Sequence, residues 1–232
     1  MIFLGIETST SCGSIALAER DRVLAEWNLN LSKTHSERLL PDLAHMLLSA
    51  GMKMDQIDVI AVSIGPGSFT GLRIGLTTAK ALALAKAKPM VGIPTLDVLA
   101  ENVLTSEILV CPALDARRGE LFASLYRREP PGRSSRVTEY LSVTPERLLE
   151  RIWEPTLFLG DGALLYRDRL LSQASHEICF APLEYNAPRA TALCRLALQK
   201  YSVEGGIHAR DIQALYVRAS DSEFIRSQKH HP

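Results

Sequence analysis

Apolar residues fill the start of the run Ile2–Thr8 (IFLGIET), which predicts a strand buried on both faces at its start. A polar tip, Ser9–Ser14 with Gly13, leads to a second strand, Ile15–Ala18. The charged turn Glu19–Arg22 leads to a third, Val23–Leu31. Short strands joined by tight turns predict an antiparallel meander. The period then changes. Leu39, Leu40, Leu43, Met46, Leu47 and Ala50 recur at the spacing of one helical face, with Gly51 suited to the residue beyond the C-cap. Thr34 and Glu37 have the spacing of a capping box, and Pro41 predicts a kink or a late start to the regular helix. Ile57–Ile64 is apolar at nearly every position and reads as a central strand. The turn Gly65–Gly71 (GPGSFTG), a helix over Leu72–Ala87, a strand at Met90–Ile93 and a helix starting over Thr95–Val103 follow.

The second half starts again with strands. Ile108–Leu114 and Glu120–Tyr126 flank a basic tip at Ala116-Arg-Arg-Gly119. Arg127–Arg136 is a charged Pro/Gly stretch and reads as the least ordered loop. Thr138–Val143 is a predicted strand, and Thr144-Pro-Glu-Arg starts a helix with proline in its first turn. Thr156–Leu159 is a strand running into Gly160-Asp-Gly162, and Ala187–Tyr201 is a helix. The alternation is like that of the first half but less regular, and there is no sequence repeat.

Composition narrows the classes. The chain has 232 residues, 47% hydrophobic and 22% charged, as an ordinary globular protein has. It carries 26 basic and 26 acidic residues, a balance that argues against a surface gripping nucleic acid by itself. Cys12, Cys111, Cys179 and Cys194 are widely spaced with no Cys-x-x-Cys pair, so zinc and redox chemistry are not expected. With no basic-then-apolar leader and no run of about 18 apolar residues, neither a signal peptide nor a membrane span is expected, and the compartment read from this is the cytoplasm.

The glycine-rich turn is the most informative segment. Three glycines between a buried strand and a helix allow close backbone approach, and a strand–loop–helix can bind phosphate. The Lys-Ser/Thr of a Walker A loop is absent. GPGSFTGLRIGL (Gly65–Leu76) resembles the signature of the TsaB (YeaZ) family. LGIETST (Leu4–Thr10), THSERLLP (Thr34–Pro41), GIPTLDVLA (Gly92–Ala100), LDARRGELFA (Leu114–Ala123) and LGDGA (Leu159–Ala163) resemble the same family in the same order. The resemblance covers the whole chain and is strongest over its first 125 residues.

The resemblance implies an α/β, actin-like (ribonuclease-H-like) protein of the sugar kinase–Hsp70–actin superfamily, in two lobes each with a mixed sheet and helices. The expected division is residues 1–105 and 106–208, with 209–232 returning to the first lobe. The implied role is a non-catalytic scaffold for threonylcarbamoyladenosine modification of the adenosine beside the tRNA anticodon. The implied partners are a catalytic threonylcarbamoyltransferase paralogue as heterodimer and an ATPase subunit, with tRNA reached through the complex and a homodimer formed when the chain is alone. The paralogue carries a His-x-x-x-His metal pair where this chain has Thr95 and Leu99, so no metal and no cofactor are expected. No two of the six histidines are spaced i, i+4, which leaves a peptidase as a third and weaker option.

Two sets of residues stand out. Glu7, Thr8, Ser9, Asp115, Gly160, Asp161 and Gly162 occupy positions at which a vestigial nucleotide cleft would form. Each also has a plain reading as a turn or hairpin tip. Leu72, Gly75, Leu76, Ala79 and Ala83 share one side of the second helix, whose other side is also apolar. A helix apolar nearly all round needs cover on two sides. With Leu39, Leu43 and Leu47 of the first helix, these five residues are the expected partner interface, a four-helix contact. The alternative function is an ATP-dependent phosphotransferase or hydrolase working in its own cleft.

Overall fold

The computed structural model describes residues 1–29, 35–103, 107–129 and 133–218. The predicted capping residue Thr34 and the end of the chain lie outside them. The first sheet is built from β1 (Ile2–Glu7), β2 (Gly13–Glu19), β3 (Arg22–Leu29), β4 (Val59–Ser63) and β5 (Met90–Ile93), in the order β3-β2-β1-β4-β5. β1, β2 and β3 form the antiparallel meander, and β4 and β5 run parallel to β1. The parallel pairs need crossover helices, which α1 (His35–Ser49) and α2 (Phe69–Lys86) supply.

Strand alternation explains why these segments are apolar throughout. Leu4, Ile6, Ile60 and Val62 point to the face covered by α1 and α2, where they meet Leu43, Met46, Leu76 and Ala79. Phe3, Val59 and Ala61 point to the other face and meet Ala190, Leu193, Cys194 and Ala197. These last four belong to α7 (Ala190–Glu204). α7 therefore covers the first sheet although its residues fall within 106–208. Helix α1 runs unbroken through Pro41.

The second sheet has β6 (Leu109–Arg117), β7 (Glu120–Ala123), β8 (Tyr126–Glu129), β9 (Arg133–Arg136), β10 (Leu141–Val143), β11 (Thr156–Leu159) and β12 (Ile178–Phe180). Its order is β10-β7-β6-β11-β12, with β8 and β9 forming a hairpin against β6. The hairpin corrects the reading of Arg127–Arg136 as a loop: Tyr126–Glu129 pairs antiparallel with Arg133–Arg136. Helices α4 (Pro145–Leu149), α5 (Asp161–Leu165) and α6 (Arg167–Gln173) cover one face; α5, α6 and β12 lie beyond the elements read from the sequence. Thr144 caps α4, accepting from the Arg147 N–H. The other face is covered by α3 (Thr95–Ala100), whose Leu96, Leu99 and Ala100 are buried with Val110, Leu114 and Leu159.

α3 and α7 touch each other, so each sheet has one helix near the other lobe. Among the described residues, no helix is long and apolar enough to cross a membrane.

Candidate functional site

The lobes enclose a cleft of about 690 Å³. Its walls come from the β1–β2 tip (Ser9, Thr10, Ser11), the GPGSFTG loop, the end of β6 at Asp115, and Asp161 at the start of α5. The loop itself is a packing turn. Ser68 donates its N–H to the Ser9 carbonyl at 2.7 Å, Thr95 donates to the Gly65 carbonyl at 2.8 Å, and Ser68 Oγ accepts the Gly71 N–H. The Gly65–Pro66 peptide is cis.

Of the predicted cleft residues, Ser9, Asp115 and Asp161 line this space and the others do not. Glu7 is completely buried, and its carboxylate accepts the N–H and Oγ–H of Ser9 and the Oγ–H of Ser63. Burial pushes its carboxyl up from the ordinary range, while hydrogen bonds from Ser63 and Ser9 oppose the rise. Thr8 Oγ1 donates to the Gly71 carbonyl at 2.8 Å. Gly160 has φ +109° and packs against the Ala113 carbonyl, and Gly162 is also buried. These four residues build the floor beneath the cleft rather than its surface.

Asp161 Oδ1 accepts the Asp115 N–H at 3.1 Å. Burial raises its pKa; the N–H groups of Asp115 and Gly162 work the other way, and the Asp115 charge adds to the rise. Arg117 pairs with Asp115 at 3.1 Å while remaining 83% exposed, so the hairpin tip is largely solvated. Among the described residues, no three His, Cys, Asp or Glu side chains converge to hold a metal ion.

Thr95 and Leu99 are both fully buried. Leu99 sits among Leu96, Leu114 and Leu159, and its Cδ2 lies 3.0 Å from where a Cβ on Gly160 would be. Leu99 is thus packed in hydrocarbon, while the Thr95 Oγ1 is buried without a hydrogen-bond partner among the described residues.

The expected partner interface needs the larger correction. Leu39, Leu43, Leu76, Ala79 and Ala83 are buried in this chain's own core, with Leu47 half-buried against it. Leu72 is buried in the floor of the cleft. Gly75 is there because the helix crosses β1's end so closely that a Cβ would lie 2.2 Å from Thr8 Oγ1. The apolar side read as the docking face is the side that rests on the sheet. The opposite side faces water: Leu40 and Leu48 on α1 are 54% and 78% exposed, and Leu84 on α2 is 60% exposed. Thr77 and Ala81 lie between them on the same exposed stripe of α2. A period-3.6 pattern marks an inward face only when the other side is polar, and α2 lacks that contrast.

Arg218 Nη1 donates to Glu120 at 2.8 Å and Nη2 to the Ala116 carbonyl at 2.9 Å, beside the cleft. A lone arginine near a chain end gives no sequence signal for such a contact.

The family model for TsaD, tRNA N6-adenosine threonylcarbamoyltransferase, matches residues 29–205. The tRNA threonylcarbamoyladenosine biosynthesis protein TsaB of Bacillus subtilis is 32% identical over 99% of this chain and 100% of its own length. The Escherichia coli protein of the same name is 37% identical over 57% of this chain and 58% of its own. Among solved structures, YeaZ from Pseudomonas aeruginosa superposes with a TM-score of 0.79 at 26% identity, covering 93% of this chain and 99% of that one. Component A of the Acidaminococcus fermentans (R)-2-hydroxyglutaryl-CoA dehydratase shares the fold with a TM-score of 0.51 at 12% identity, over 87% of this chain and 99% of that one.

Proposed function

The chain belongs to the TsaB family, and on that footing we propose that it is a subunit without a reaction of its own in making threonylcarbamoyladenosine on tRNA. Its place in that pathway follows from the family. The finer reading is that it pairs with the threonylcarbamoyltransferase paralogue and holds it in its active arrangement. The observation that carries this is the packing around Thr95 and Leu99. Where the resemblance puts the paralogue's metal ligands, this chain has a hydroxyl and a leucine, both fully buried, with the leucine against Gly160. A cation there would lack the pair of imidazole ligands. The carboxylate of Glu7 agrees with this reading, since it is fully buried on Ser9 and Ser63 and does not line the cleft.

The match of a TsaD model to residues 29–205 supports a partner of related shape. Paralogues that share a helix pair can dock it face to face, as a four-helix contact. The docking face is the outward side of α1 and α2, with Leu40, Leu48, Thr77, Ala81 and Leu84, rather than the inward side first expected. Small residues at 77 and 81 admit a close helix, and exposed leucines on either side supply apolar area. In isolation the same face would join two copies. The ATPase subunit and tRNA would be met through the complex, in the cytoplasm. The alternative, a phosphotransferase or hydrolase in the chain's own cleft, is not favoured.

Size-exclusion chromatography with light scattering tests the proposal on the chain alone and mixed with the TsaD-family protein of its own organism. A 1:1 complex that replaces any homodimer supports it. A chain that ignores the paralogue at near-physiological salt overturns it.

A further inference from the structure

The cleft has one wall that the actin-like pattern of strands and helices does not require. After α7, Ile207 exchanges both backbone hydrogen bonds with Met90 at 2.9 Å, adding a bridge to the edge of the first sheet. Ala209 and Ile212 are buried in the first lobe's core. The Leu215 N–H donates to the Ile64 carbonyl at 2.7 Å, and the Tyr216 ring lies 5.7 Å from that of Phe69 on α2. Within the next two residues the chain changes lobes. Val217 packs against the second lobe's core, and Arg218 clamps Glu120 and the Ala116 carbonyl on the β6–β7 hairpin.

A second tie lies at α3. Glu101, 4% exposed, accepts Arg128 from the β8–β9 hairpin and Arg195 from α7, each at 2.9 Å. Asp97, one turn earlier, accepts the hydroxyls of Tyr126 at 2.5 Å and Tyr140 at 2.8 Å. Glu101 thereby joins a helix on the first sheet to a strand of the second. Glu101 and Arg128 hold this geometry because both are buried and, once separated, each would be left uncompensated in a dry site; Arg195 is more exposed.

We infer that the strap Ile207–Arg218 fixes the angle between the lobes, so that the cleft keeps one width instead of opening and closing. Hinge closure in two-lobed proteins is absorbed by a few connecting residues free to change their backbone angles. Here the crossing at 215–218 is hydrogen-bonded on its first-lobe side and ion-paired on its second. The crossing at α3 is anchored by Asp97 and Glu101. Closure would require breaking one of these ties. The inference does not rest on the family reading; it concerns mechanics that hold whether or not the chain has a partner.

The distance between lobes tests it directly. Cys179 is exposed on the second lobe, while Cys12, Cys111 and Cys194 are buried. A spin label on Cys179 and another at Asp21→Cys, on the exposed β2–β3 turn, report the separation by pulsed electron resonance in samples diluted with unlabelled protein. The native strap is expected to give one narrow distance distribution. Arg218→Ala should widen it by about twofold or add a second maximum, and Glu120→Gln should do the same less strongly. Arg218→Lys, which keeps the charge but loses the fork, should fall between wild type and alanine. Because Arg218 is partly exposed, the variants should keep the wild-type circular dichroism. A chain ending at Leu215 removes the crossing altogether and provides the limiting case. If Arg218→Ala and that shortened chain both keep the wild-type width, the strap does not set the angle and the inference fails.

Discussion

Both sides of the α1–α2 pair carry leucines, and these have opposite fates. The inward side carries Leu39, Leu43, Met46, Leu76, Ala79 and Ala83 into the core, and the outward side leaves Leu40, Leu48 and Leu84 in water. What separates them is the backbone beneath. Thr8 at the end of β1 comes close enough to α2 that Gly75 is needed, and that contact fixes the helix rotation. The comparison teaches that an all-apolar helix announces two contacts but does not say which one its own fold takes. The side left over is available for a partner.

Substitutions can break or sharpen this contrast. The largest effect is expected from Ala79→Arg or Leu76→Glu, which place a charge in the core. Each should cost about 4 kcal/mol or more and abolish the cooperative urea transition or move it sharply down. Leu43→Ala removes a buried leucine and should cost about 3 kcal/mol, read from the same transition. The identical change on the other side, Leu48→Ala, should stay within about 0.5 kcal/mol, since that side chain is already solvated. If Leu43→Ala and Leu48→Ala cost the same, the assignment of faces is wrong. The smallest effect is expected from Lys86→Ala. Lys86 pairs with Asp55 at 2.7 Å, but both side chains are well exposed, so the urea midpoint should not move measurably.

How far the sequence reveals this molecule varies from one element to the next. β1, β4 and β5 are legible because they are buried on both faces and mostly apolar, and Met90–Ile93 and Thr156–Leu159 are bounded as expected. The Thr144 cap and its proline mark α4 through local chemistry alone. The β8–β9 hairpin is hidden because its inward residues include Arg128. That arginine is buried only because Glu101, 27 residues earlier, receives it. Strand signals are read from local alternation, and a charge satisfied from a distant helix looks like a loop residue. α7 is legible as a helix but not as a cover for the first sheet, since its partners lie in β1, β2, β4 and β5.

The candidate site divides in the same way. Ser9, Asp115 and Asp161 reach the cleft as their turn positions suggest, whereas Glu7 and Thr8 look like ligands by type and serve as internal fasteners. The difference lies in Ser63 and Gly71, which approach them from β4 and α2. The strap is the least legible part. Its contacts span sequence separations of about 100 residues, as between Arg218 and Glu120, and no local pattern encodes them.

The most direct test of the account is the affinity of Ala81→Arg for the TsaD-family paralogue, measured by titration calorimetry beside the unchanged chain. Ala81 is exposed, so the variant should keep the wild-type unfolding midpoint. The account predicts that it binds the paralogue at least about 100-fold more weakly, because the arginine would have to be buried at the centre of a helix contact. A folded Ala81→Arg chain that binds with undiminished affinity would contradict the assignment of the outward α1–α2 face as the partner surface.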